Sequence, residues 1–113
     1  MSLKPITVLR RARKLITDPK RWIKGAFTRK VKRVQCYCGL GAIATAAGVK
    51  IKSEQHLSNE LRLPDEYYAA HALLNRAAHG ACFFASYNDR EDVTHADVLA
   101  VFDRAIAAAA KAG

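Results

Sequence analysis

The sequence predicts an all-α fold, a compact single domain of four to six helices that spans residues 1–113. Two observations support this class. Apolar residues recur at helical spacing in several segments, and most of these segments begin or end at a residue that commonly starts or stops a helix. Half of the residues are apolar, so a chain of this length can bury one core without staples.

The first helix is predicted from Pro5, a common first-turn residue, to Ile16 or Thr17. One side carries an apolar stripe and the other is basic. Asp18 ends this helix, because the residue before a proline avoids helical backbone, and it can cap the short turn that contains Trp22. Residues 28–35 are basic and predict a loop or a short extended piece.

The segment 36–48 predicts a second helix. Cys36, Leu40, Ile43 and Ala47 share one face at helical spacing. A second face consists of small residues, which allow a neighbouring backbone to come close, namely Cys38, Gly41, Ala42 and Thr45. Gly48 stands where a glycine commonly ends a helix.

Three further helices are predicted in the second half of the chain. Ser53 can cap a short helix to about Leu61, and Pro64 opens the next, which ends at Gly80. Residues 81–89 predict one helical turn or a brief strand. Thr94 and Asp97 have capping-box spacing, so a last helix is expected from there to about Ala110.

Positive charge is concentrated in an N-terminal third, residues 4–33, which holds twelve Lys or Arg and one acid, Asp18, in a chain of net charge +9. This layout predicts binding to a polyanion through phosphate contacts, and the alternative is a solvated face that serves solubility. Trp22 and Phe27 could stack on bases, although packing at the helix junction is favoured. The proposed contacts are Arg10, Arg11, Arg13, Lys14, Lys20, Arg21, Lys24, Arg29, Lys30, Lys32 and Arg33.

Cys36, Cys38, His79 and Cys82 supply three thiols and an imidazole, the ligands that zinc prefers. Neither pair has the usual ligand spacing, so burial of the cysteines as small apolar residues is favoured. Catalysis by Cys38, or by Asp89 with a histidine, is a further alternative, but no base is placed beside either. We therefore predict no enzyme, no metal and no cofactor.

Three other chemically capable segments are given structural roles. His71 lies on an apolar stripe and predicts a buried or half-buried histidine, whereas His95 is expected to be exposed in the first turn of the last helix. Tyr87-Asn88-Asp89 predicts a turn that orders the start of that helix. No apolar run approaches the roughly 20 residues of a membrane span, and no signal peptide or disulfide framework is recognisable, so a cytoplasmic protein is expected.

Four motifs carry a family resemblance. They are Trp22-x-x-Gly25-Ala26-Phe27, Cys38-x-x-Gly41-Ala42-Ile43, Phe84-x-x-Tyr87-Asn88-Asp89 and the final stretch from Val98 through Phe102 to Ala105-Ile106. In this order, over about Ile6 to Ala109, they resemble an uncharacterised domain-of-unknown-function family of small proteins from actinobacteria and their bacteriophages. The resemblance implies a compact, mostly helical domain and a phage or prophage origin, and it transfers no activity. Cys36 and the basic third are departures from the family's pattern.

The leading hypothesis is a non-enzymatic helical protein that binds DNA or RNA through its basic third, by non-specific contact rather than base readout. The alternative is a protein-interaction module, such as a phage-encoded modulator of a host protein. In that case the basic surface would steer the protein toward an acidic partner.

Overall fold

The computed structural model describes residues 4–24, 28–49, 63–78 and 84–112. Helix α1 spans Pro5–Leu15 and is followed by a 3₁₀ turn at Pro19–Arg21. Strands β1 and β2 span Thr28–Val31 and Val34–Tyr37. The remaining helices are α2 at Gly39–Ala46, α3 at Asp65–Ala77, α4 at Phe84–Asp89 and α5 at His95–Ala112. The predicted short helix at 53–61 and the predicted stop at Gly80 lie outside the described residues.

The all-α prediction is wrong, because β1 and β2 form a two-stranded antiparallel sheet and the fold is mixed α and β. Val31 pairs with Val34, so Lys32 and Arg33 alone form the turn. Their φ angles are 50° and 68°, the left-handed region of a type I′ hairpin turn. Such turns favour Asn and Gly, and a Lys-Arg pair carries no such signal. The predicted short extended piece at residues 28–35 is therefore confirmed as strand, but its pairing into a hairpin was not predicted.

The predicted helical face that includes Cys36 is also wrong. Cys36 lies in β2, and Cys38 is the N-cap of α2, where its Sγ accepts a hydrogen bond from the backbone N–H of Gly41 over 3.3 Å. Gly48 ends this helix as predicted, with φ 92°. The N–H of Gly48 bonds the carbonyl of Thr45 and that of Val49 bonds the carbonyl of Ala44, which is a Schellman motif.

The predicted ends of α1 and the start of α5 are confirmed. Pro5 opens α1, which ends one residue before the predicted Ile16. Asp18 accepts a hydrogen bond from the N–H of Lys20 over 2.9 Å and caps the 3₁₀ turn. Thr94 and Asp97 bond reciprocally, each backbone N–H donating to the other's side chain, over 2.9 and 3.2 Å. This is the predicted capping box.

The core lies where α1 packs against α2, α3 and α5. Its largest buried side chains come from every helix and include Leu9, Ile43, Leu74, Phe84 and Phe102. The two phenylalanines meet edge to face, with ring centroids 5.9 Å apart.

Helix α2 also meets α4 closely. A Cβ on Gly39 would lie 2.1 Å from the ring of Phe84. Close packing was expected of α2, but it occurs at Gly39, which is outside the predicted small face. Among the described residues, none of the helices is long and apolar enough to cross a membrane.

Candidate nucleic-acid interface

The eleven predicted phosphate contacts fall on four consecutive pieces of structure. Arg10, Arg11, Arg13 and Lys14 lie on α1, Lys20 and Arg21 on the 3₁₀ turn, Lys24 just after it, and Arg29, Lys30, Lys32 and Arg33 on the hairpin. All are exposed except Arg13 and Lys24, which are half-buried. The fold therefore keeps most of this positive charge at the surface.

Arg13 and Lys24 have partners inside the protein. The guanidinium of Arg13 donates to both carboxylate oxygens of Asp103 on α5, over 2.6 and 3.3 Å. Lys24 donates to the carbonyl of Arg90, and its ammonium lies 5.6 Å from the centre of the Trp22 ring. These two cations hold elements of the fold together, so they are the weakest members of the predicted set.

Three of the remaining cations line one concave surface, which we call the basic groove. Arg11 and Lys14 of α1, Arg21 of the 3₁₀ turn and the end of α2 enclose a space of about 550 Å³. Leu15, Thr45 and Ala46 complete the lining. Within the described part of the chain, none of the three cations forms an ion pair or a side-chain hydrogen bond.

The groove gathers like charges without an acidic partner. Arg11 and Lys14 stand at i and i+3 on one helix face, a spacing at which like charges repel, and α1 contains no acid. The nearby carboxyl end of α2 does not need these cations, because the Schellman motif already satisfies the carbonyls of Ala44 and Thr45. An anion in the groove would offset a repulsion that no acid among the described residues compensates.

A buried asparagine connects the segment after the 3₁₀ turn to the start of α2. The Oδ1 of Asn88 accepts from the indole N–H of Trp22 over 2.9 Å and from the N–H of Gly39 over 3.2 Å. Its Nδ2 donates to the carbonyl of Ile23 over 3.2 Å. The prediction of a turn at this position is wrong, since Asn88 lies in α4 and fixes the segment after the 3₁₀ turn. Trp22 is thus an anchor, as favoured from the sequence, and Phe27 lies outside the described residues.

The two described cysteines are buried, as predicted, with exposures of 1% for Cys36 and 7% for Cys38. The Cys36 thiol donates to the carbonyl of Lys20 over 3.1 Å. Burial raises the pKa of the Cys38 thiol to about 11, so it is protonated at neutral pH and a poor nucleophile. Among the described residues no three potential ligands are grouped to hold a metal ion, and His79 and Cys82 lie outside those residues.

The two described histidines take different positions. His71 is half-buried, as predicted, and its burial lowers its pKa. In the described structure its buried Nε2 has no hydrogen-bond partner. The prediction of an exposed His95 is wrong. Its Nε2 lies 2.6 Å from the carbonyl of Ile16 and its ring contacts that of Trp22, so it joins the start of α5 to the end of α1.

Comparison with known proteins gives a family but no activity. Searches of curated proteins and of solved structures found no match. A profile for a family of unknown function, DUF6197, matches residues 1–108. This match confirms the predicted membership in an uncharacterised domain family. Because it covers nearly the whole chain, the protein belongs to the DUF6197 family of unknown function.

Proposed function

We propose that this protein binds nucleic acid through the phosphate backbone, with the basic groove as its main contact surface. The observation that carries the proposal is the convergence of Arg11, Lys14 and Arg21 on one concave surface, without an acidic partner in the described structure. Phosphate contacts require only positive charge at suitable spacing, and concave surfaces lined by one sign of charge concentrate oppositely charged ligands.

The resemblance noted above adds a biological setting to this proposal. It implies an origin in actinobacteria or their phages, and we propose that the protein acts there as a non-enzymatic protein of the cytoplasm. Nucleic acid is the abundant polyanion in that compartment. An acidic protein surface could contact the same cations, and the experiment below separates the two partners.

The test is a fluorescence-polarisation titration of duplex DNA and single-stranded RNA at about 50 and 200 mM salt. Each phosphate contact adds about −0.9 to the slope of log K against log salt for a DNA duplex. Three contacts in the groove alone should therefore weaken binding by about 40-fold over this range. Removing two of them, with Arg11→Gln and Lys14→Gln, should change the slope by about 1.8.

The matched control removes two exposed cations outside the basic third, with Arg76→Gln and Lys111→Gln. Its slope should equal that of the unmodified protein. Equal slopes for the groove variant and the control would overturn the role of the groove. Absence of binding at 50 mM salt would overturn the proposed function. Capture of a partner that survives nuclease treatment would then point to an acidic protein instead.

A further inference from the structure

The hairpin of β1 and β2 is a second basic element, and its turn has an unusual composition. Lys32 and Arg33 both adopt the left-handed backbone that a two-residue type I′ turn requires. Residues with a Cβ are disfavoured there, with asparagine and aspartate the tolerated exceptions, and Asn-Gly is the sequence that best suits such a turn. The chain instead places two cations at the end of the hairpin, at the expense of turn stability.

Among the described residues, backbone contacts anchor the base of this hairpin. Tyr37 pairs with Trp22, and its carbonyl accepts from the N–H of Ile23 over 3.0 Å. From Tyr37 to Val34 the strand advances about 10 Å toward the turn. Every residue from 29 to 33 is exposed. The outer half of the hairpin is therefore a two-stranded ribbon that no described element covers.

The shape of this outer half and the chemical groups that it carries are complementary to the major groove of B-form DNA. That groove is about 12 Å wide and admits a two-stranded ribbon, and its floor carries the acceptors of guanine and the methyl group of thymine. Lys32 and Arg33 supply donors, and Val31, which is 42% exposed between cations, supplies an apolar contact. The major groove of duplex RNA is too deep and narrow for such an element, and single strands have no groove.

We infer that the outer half of the hairpin, residues 29–33, inserts into the major groove of duplex DNA. This inference rests on the proposed function and narrows its ligand from nucleic acid in general to duplex DNA. The basic groove holds the backbone of any strand, whereas the hairpin distinguishes the B-form duplex from other forms. The 3₁₀ turn links the two surfaces, because Arg21 lines the basic groove while the turn packs against β2.

The experiment compares three fluorescent probes of one mixed sequence, namely a 20-bp DNA duplex, the same duplex in RNA, and single-stranded DNA. The unmodified protein should bind the DNA duplex about tenfold more tightly than the other two. Lys32→Asn with Arg33→Gly, a variant that keeps the turn geometry, should erase this preference. The matched variant Arg11→Gln with Lys14→Gln removes the same charge and should weaken binding to all three probes alike.

Two further readouts locate the hairpin on the duplex. Bound protein should slow methylation of guanine N7 by dimethyl sulfate, since N7 lies in the major groove. A minor-groove ligand such as netropsin should not displace the protein. A turn variant that keeps the full duplex preference, or displacement by netropsin without protection of N7, would overturn the inference and leave the proposed function intact. Failure to bind any of the three probes would overturn both.

Discussion

The type I′ turn at Lys32 and Arg33 yields a test in which stability and binding change in opposite directions. Left-handed backbone costs an L-residue roughly 1–2 kcal/mol, and both residues adopt it. In Lys32→Asn with Arg33→Gly, asparagine tolerates this backbone and glycine escapes the Cβ penalty. Glycine also raises the conformational entropy of the unfolded chain, which lowers the free energy of unfolding by roughly 0.5–1 kcal/mol. The net expectation is a gain of about 1–2 kcal/mol in the free energy of unfolding.

Urea denaturation followed by circular dichroism measures this gain. With a slope typical of a small domain, the midpoint should rise by roughly 0.5–1 M while the slope stays unchanged. The control is Lys32→Gln with Arg33→Gln, which removes the same two charges but keeps both Cβ atoms in left-handed backbone. Its stability should change by less than about 0.5 kcal/mol.

Two outcomes would refute this reasoning. If the glutamine variant gained as much stability as the asparagine-glycine variant, charge repulsion rather than backbone conformation would be the source. If neither variant gained, the turn would not be strained. When the asparagine-glycine variant is the more stable protein, its weaker binding to duplex DNA cannot be attributed to unfolding.

Three further predictions concern the support of the fold. Asn88→Ala should lower the free energy of unfolding, measured in urea, by about 3 kcal/mol, because it leaves polar groups of three partners unpaired. The control Asn75→Ala removes one acceptor and should cost about 1 kcal/mol. Equal costs would contradict the linking role of Asn88. Gly39→Ala should cost about 2 kcal/mol, because its Cβ would meet a buried ring, and an unchanged urea midpoint would contradict that. Stability should fall as pH rises from about 9 to about 12, because burial raises the pKa of Cys38 to about 11 and that of Tyr67 to about 12, so the unfolded chain releases these protons first. In the variant Cys38→Ala with Tyr67→Phe, the urea midpoint should depend less on pH across this range. An unaltered decline would show that these two groups are not its cause.

Local signals in the sequence were sufficient for most helix ends. Pro5, Asp18, Gly48 and the Thr94–Asp97 pair each act within four residues of their own position, so their roles could be predicted from spacing alone. The hairpin could not be predicted in this way, because its turn residues oppose the usual preference of the turn they form. Helical spacing from Cys36 onward was misleading because a strand and an N-cap precede the helix.

The candidate site also combines a property that could be predicted from the sequence with contacts that could not. The positive charge could be counted in the sequence, but its distribution depends on contacts between distant segments. Arg13 is paired with Asp103, which lies 90 positions away in the sequence, so Arg13 is not a free cation. The basic groove forms only because the fold brings Arg21 next to α1 and the end of α2. Asn88 stood in a recognised motif, yet its bond to Trp22 spans 66 positions. The spacing of residues in the sequence does not indicate such a bond, and the burial of the Asn88 amide becomes visible only in the structure.

These long-range contacts also explain how two basic surfaces are held in a fixed relation. The segment from Lys20 to Ile23 carries Arg21 into the basic groove, and it is held from two sides. On one side, Asn88 forms hydrogen bonds with the indole of Trp22 and the carbonyl of Ile23. On the other side, β2 contacts the same segment: the Cys36 thiol donates to the carbonyl of Lys20, and the Tyr37 carbonyl accepts from the N–H of Ile23. None of these contacts uses a basic side chain. Amide, indole, thiol and backbone groups therefore set the geometry, and among the described residues the cations of the groove and of the hairpin turn have no ion-pair partner.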